Sequence, residues 1–156
     1  MQWSSAPHAG FTRGTPWEPL QNDSLTTTVE AESRDPASVL QMNRRLIHLK
    51  ADNAALADGL LVPLTASHEA VAAYARRSGN HVVLVVANLS AAPLADVSLS
   101  SAAHALPPGN WTLRSLMGGA AAAPLHVGAE GQLGGYAPLP TLRPMEGYLF
   151  ELAAVR

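Results

Sequence analysis

Val82-Val83-Leu84-Val85-Val86-Ala87-Asn88-Leu89 decides the fold. The run is apolar at odd and even positions alike, rich in valine, and too short for an ordinary helix. It therefore reads as a central strand buried on both faces. Working outward, Ser78-Gly79-Asn80 supplies a turn before it, and Ala70 to Arg76 reads as the preceding strand. Leu60 to Thr65 is a short strand whose Pro63 places it at an edge or a bulge. Downstream, Val97 to Ser101 alternates apolar and polar, and Pro107-Pro108-Gly109-Asn110 forms a turn. Trp111, Leu113 and Ser115 then alternate with Thr112, Arg114 and Leu116. Gly118 to Pro124 is a loop of small residues, Leu125 to Val127 and Gln132 to Leu133 are weaker strand candidates, and Thr141 to Pro144 turns the chain into a last strand, Tyr148 to Ala153. Short strands about ten residues apart, joined by short turns, predict an antiparallel sandwich or barrel.

The region before Leu60 has a different character. Asp35 is a good N-cap and Pro36 suits the first helical position, where its missing N–H costs nothing. Val39, Met42, Leu46 and Leu49, widened by Leu40 and Ile47, form an apolar stripe at helical spacing, which predicts a helix over 36–52 with Asp52 and Asn53 as its exit. Such a stripe needs a partner surface. Residues 1–34 show neither period, yet Trp3, Phe11 and Trp17 fall within 17 residues, among several Pro and Gly. A flexible leader is normally poor in aromatics, so this stretch reads as a loop packed on something, with a disordered leader as the alternative.

Composition excludes several function classes. Of 156 residues, 47% are hydrophobic and only 14% charged, so a core can form and must come mainly from Ala, Val and Leu, since aromatics make up 5%. The net charge is −2 and the ten cations, Lys50 the one lysine among them, are scattered. Nucleic-acid binding needs a clustered basic footprint and is not expected. With no cysteine, disulfides and thiol chemistry are out. No apolar run approaches bilayer length and no signal-peptide pattern opens the chain, so a cytoplasmic setting without membrane or cofactor is the expectation.

No residue is nominated for catalysis, substrate binding or metal ligation. Glu30 and Glu32 share a side if their segment is extended, but a solvated rim explains them better than acid–base work. Asp35 is a cap. His8, His48, His68, His81, His104 and His126 lack metal-ligand spacing. There is no G-x-S-x-G, and the Gly118-Gly119 and Gly134-Gly135 pairs lack a phosphate-loop context. Asn22-Asp23-Ser24, Asn88-Leu89-Ser90 and Asn110-Trp111-Thr112 match the glycosylation sequon and read as incidental. Trp3, Trp17 and Trp111 have faces suited to a sugar ring but no spacing that makes a platform; Trp111 reads as core.

Met1-Gln2-Trp3, Ala9-Gly10-Phe11 and Pro16-Trp17-Glu18-Pro19, followed by Thr28-Val29-Glu30-Ala31-Glu32, Asp35-Pro36-Ala37-Ser38-Val39-Leu40 and Arg45-Leu46-Ile47-His48-Leu49-Lys50, form an ordered series. It resembles a segment of the α-amylase superfamily of glycoside hydrolases (family 13), in the branch of α-glucosidases, oligo-1,6-glucosidases and trehalose synthases. His8 and Glu32 depart from that pattern, where Asn and Gln are common. Val83 to Ser90 and Leu142 to Tyr148 resemble the V-x-x-N-x-S strand and the L-x-P-x-E segment of that family's C-terminal β-sandwich. The resemblance implies that residues 1–55 are a remnant of the catalytic barrel (loop 1–34, last helix 36–52) and 57–156 the C-terminal sandwich. The expected fold is mainly β: an antiparallel, Greek-key type β-sandwich preceded by a long loop and one α-helix that belong to a truncated (β/α)8 barrel. The family's nucleophilic Asp, acid/base Glu and stabilising Asp lie upstream and none maps onto this sequence. The resemblance thus implies a non-catalytic C-terminal fragment of an α-glucosidase-type enzyme, its sandwich packing on and stabilising the barrel. A start at an internal Met and a gene remnant both fit. The expected partners are the missing barrel and a second copy bound through the helix and loop. The alternative is a stand-alone carbohydrate-binding or self-associating module.

Overall fold

The computed structural model describes residues 2–20, 27–119 and 121–154. By its internal contacts the chain divides into two units, Met1–Lys50 and Ala51–Arg156.

In the first unit the segment after the aromatic loop is helical, not extended. Helix α1 (Val29–Arg34) starts on Thr28, whose hydroxyl accepts from the Ala31 amide at 3.0 Å. Backbone amides of Val29 and Glu30 donate to the carbonyls of Gln2 and Trp3, so the two ends of the loop are tied together. Helix α2 (Val39–Asp52) begins three residues later than its Pro36 signal suggests. Ser38 is the cap: its hydroxyl accepts from the Gln41 amide at 3.1 Å. Asp35 is not the N-cap of α2 but the C-terminal cap residue of α1; its carboxylate accepts from the Ala37 amide at 2.8 Å and closes a turn between the helices. Serine and aspartate both satisfy orphan amides, and the one nearer the apolar stripe won.

The second unit opens with helix α3 (Ala54–Asp58), absent from the sequence reading. Asn53, read as an exit residue, is its N-cap and accepts from the amides of Ala55 and Leu56. Ten strands follow: β1 (Leu60–Pro63), β2 (Thr65–Ala66), β3 (Val71–Ser78), β4 (His81–Asn88), β5 (Leu94–Ala95), β6 (Leu99–Ser100), β7 (Gly109–Ser115), β8 (Leu125–Val127), β9 (Thr141–Leu142) and β10 (Gly147–Ala154). Six form one sheet in the order β1-β3-β4-β10-β7-β8, and the rest form two ribbons, β2-β6 and β5-β9. All of these strand pairs are antiparallel. Pro63 lies on the edge strand β1, as its missing N–H requires.

Two expectations need correction. Gln132 and Leu133 form no strand; Leu133 is buried, but its backbone meets only Ser101, through the Ser101 amide and hydroxyl. Without that strand the connection from β8 to β9, residues 128–140, is long rather than short.

One core serves this unit. Val82, Leu84 and Val86 face it with Val71, Ala75 and Phe150, and the ribbons and loops cover it with Leu99, Leu106, Leu133, Leu139 and Leu142. Full burial of each large apolar side chain contributes roughly 1.5–3 kcal/mol before entropy is counted. The double-faced apolarity of β4 has a specific cause. Arg76, Val83, Glu151 and Arg114 pair across β3, β4, β10 and β7, so they form a row on the face away from the core. α3 packs on that face: Arg76 Nε donates to the Ala55 carbonyl at 3.4 Å, Asn53 Nδ2 donates to Glu151 Oε1 at 3.1 Å, and Val83 and Ala55 are both fully buried.

Candidate functional site

The first unit holds the features least explained by folding. Trp3 and Ser4 both donate their amides to the Ala9 carbonyl, which closes a tight loop. Within it His8, Ala9 and Gly10 all adopt left-handed backbone, with φ of 58, 54 and 76°. Two consecutive non-glycine residues there carry a strain of order 1–3 kcal/mol each. Gly10 is needed for space as well as for φ, since a Cβ would meet Ser4 Oγ at 3.0 Å and Trp3 Cβ at 3.1 Å. That is the physical content of the Ala-Gly-Phe motif. The loop turns its aromatics outward: Trp3 and Phe11 are more than half exposed and Trp17 is 92% exposed. Gln2, Phe11, Thr12, Pro16, Trp17 and Glu18 line a pocket of about 470 Å³.

Behind the loop, Glu32 is tied to α2. Its carboxylate accepts the Leu40 amide at 2.9 Å, and its carbonyl accepts the Ser38 hydroxyl at 2.7 Å. A negative charge at a helix N-terminus is favourable, so Glu32 acts as an outlying cap rather than as a solvated rim. Glu30 pairs with Arg34 at 2.6 Å on the surface, a contact worth little. On α2, Leu40, Leu46 and Leu49 are half-buried, while Val39, Met42 and Ile47 stand exposed.

In the second unit the two weak motifs prove to be one clasp. Asn88, fully buried, donates from Nδ2 to the carbonyls of Ala92, Leu142 and Arg143, and accepts at Oδ1 from the Ser90 amide and hydroxyl. Its own amide donates to the Glu146 carbonyl, and the Met145 amide donates to Ser90. Arg143 grips Glu146 through two nitrogens, and the Tyr148 hydroxyl accepts from the Arg143 amide while donating to Glu146 Oε2. The Glu146 carboxylate is the main reason that the Arg143 pKa is raised further above its ordinary value. Asn88 is thus a structural polar residue, and its buried amide is no glycosylation acceptor. Trp111 is half-buried against the core, as alternation predicts, with Nε1 donating to the Pro107 carbonyl at 3.1 Å.

The carboxylates of Glu30, Glu32, Asp35, Glu146 and Glu151 are all engaged in these local contacts. Among the described residues no three of His, Asp and Glu gather as a metal site. No helix among them is long and apolar enough to cross a membrane.

Residues 1–59 match the family described as "Alpha amylase, catalytic domain". Over these residues the chain is similar to the α-amylase family. The trehalose-6-phosphate hydrolase of Escherichia coli (strain K12) is 37% identical over 90 residues, which is 58% of this chain and 16% of that protein. The oligo-1,6-glucosidase of Parageobacillus thermoglucosidasius is 32% identical over 90 residues, again 58% and 16%. The crystal structure of the isomaltulose synthase of Klebsiella sp. LX3 is similar over 97% of this chain and 24% of its own, with a TM-score of 0.68 and 28% identity. The chain therefore spans about a sixth to a quarter of the length of these relatives.

Proposed function

We propose that this chain is a non-catalytic C-terminal part of an α-glucosidase-type glycoside hydrolase acting on α-glucosidic carbohydrates in the cytoplasm. In this reading the aromatic loop and α2 are the closing loop and last helix of the (β/α)8 barrel. The six-stranded sheet and its two ribbons are the layers of a Greek-key β-sandwich that stabilises that barrel. The observation that carries it is the match of a catalytic-domain family to residues 1–59 alone, in a chain whose structurally bonded carboxylates are committed to caps, clasps and ion pairs. The aromatics of the loop and the exposed face of α2 are the surface that the barrel would cover. Incubation of the pure chain with maltose and with p-nitrophenyl α-glucoside tests this. No release of glucose or nitrophenol is expected, and turnover above a buffer blank would refute it.

Exposure of Val39, Met42 and Ile47 favours a second role for the same surface, self-association of the isolated chain. Light scattering should find dimers, and Ile47→Glu should return them to monomers. A strictly monomeric parent chain removes this role.

A further inference from the structure

A second pocket lies in the other unit, beside the outer strand of the six-stranded sheet. Pro124, His126, Gly128, Gln132, Gly134 and Tyr136 line a groove of about 470 Å³. Its side chains offer an imidazole, a primary amide and a phenol, and no carboxylate, guanidinium or ammonium group. Two of the three are held by hydrogen bonds. His126 Nδ1 lies 2.8 Å from Oδ1 of Asn110, its register partner across β7 and β8, which leaves Nε2 as the second hydrogen-bonding atom of the ring. The Tyr136 hydroxyl donates to the Ala123 carbonyl at 2.6 Å, and its backbone bonds both ways with Leu99. The Gln132 amide lies against the bare backbone of Gly128, where a Cβ would come within 2.6–2.7 Å of the amide's own atoms. His126 and Gln132 are exposed, while Tyr136 is half-buried and packed on the core.

A charged ligand would meet no counter-charge here. A wholly apolar one would strand the amide and the imidazole. Neutral hydrogen-bonding groups, pre-positioned beside an aromatic ring, suit an uncharged ligand that presents C–H faces and hydroxyls together. We propose that this groove binds a neutral carbohydrate, with Gln132 and His126 taking ring hydroxyls and Tyr136 packing against the sugar. The existence of the groove is independent of the reading above; the choice of an α-glucosidic chain rests on it.

Titration of the isotopically labelled full chain with maltotriose, followed by NMR, tests this, with cellotriose in parallel. Saturable shifts confined to residues 124–136 and the Asn110 side chain are expected. His126→Ala and Gln132→Ala should each weaken binding roughly three- to tenfold, one hydrogen bond's worth, with an unchanged melting temperature. Absence of saturable shifts at these residues up to roughly 10 mM sugar, or shifts confined to Trp3 and Trp17, overturns the site. An equal response to cellotriose overturns the α-glucosidic assignment while supporting a neutral-sugar groove. Hydrolysis of maltotriose in the same tube would count against the non-catalytic reading and not against the groove.

Discussion

The two units treat their apolar side chains in opposite ways. Among the described residues of the first unit, Ala9 is the one buried hydrophobic residue, and Trp3, Phe11, Trp17, Val39, Met42 and Ile47 stand exposed. In the second, Phe150, Leu84 and a dozen or more aliphatic side chains close a single core, and among its described residues the exposed large hydrophobics are Leu60 and Leu61 on the edge strand and Leu89 and Met145 at one sheet end. The lesson is that hydrophobic content does not by itself identify a core. In one unit it stabilises the fold; in the other it lies mostly at the surface.

The largest effect that would sharpen this contrast is Phe150→Ala. Removing a fully buried ring should destabilise the second unit by roughly 3–5 kcal/mol, read by urea denaturation. Trp17→Ala removes a larger side chain that is almost wholly exposed and should stay within about 0.5 kcal/mol of the parent. If Trp17→Ala proved as costly as Phe150→Ala, the contrast would be broken. Asn88→Ala comes next, at roughly 2–3 kcal/mol, because it orphans buried carbonyls and the Ser90 amide together. A loss as small as that of a surface residue would show that the clasp is decorative. Glu32→Ala should cost roughly 0.5–1 kcal/mol, visible as faster amide exchange at Leu40, with Glu32→Gln in between because it keeps an acceptor.

The smallest effect is a pH dependence. Burial pushes the Tyr136 phenol well above its usual pKa, since the phenolate would be poorly solvated. A group whose folded pKa is raised contributes stability below its unfolded pKa of about 10 and loses it as pH rises further. The parent should therefore lose more stability than Tyr136→Phe between about pH 9 and pH 11, while below that range the variant is about 1 kcal/mol weaker for want of the Ala123 hydrogen bond. Parallel curves across that range would contradict it.

Much of the second unit was legible because its signals are local and strong. The double-faced run of β4, the Pro63 edge and the alternation of β7 follow from side-chain period and proline chemistry alone. The two-residue strands β2, β5 and β9 were not legible, because no period can be read in two residues and only tertiary pairing defines them. Neither was α3, whose cap Asn53 doubles as a believable exit for α2. In the first unit the motif series was visible but its physics was not. The strain at His8 and Ala9, and the role of Glu32 as an outlying cap, need coordinates, since nothing in a list of residues says which amide a carboxylate will find. The groove at His126 and Gln132 joins a strand to a loop that lacks any regular pattern, and no sequence signal pointed to it.

The place of β10 sets the order in which the second unit can be made. Residues 147–154 lie between β4 and β7, and nothing else in the large sheet joins its β1-β3-β4 half to its β7-β8 half. On the ribosome the first half can pair as soon as it emerges. It must then wait through some sixty residues of synthesis before the strand that closes the sheet appears, several seconds at about 5–20 residues per second. During that interval β4, with its run of valines, has an unpaired edge open to other strands.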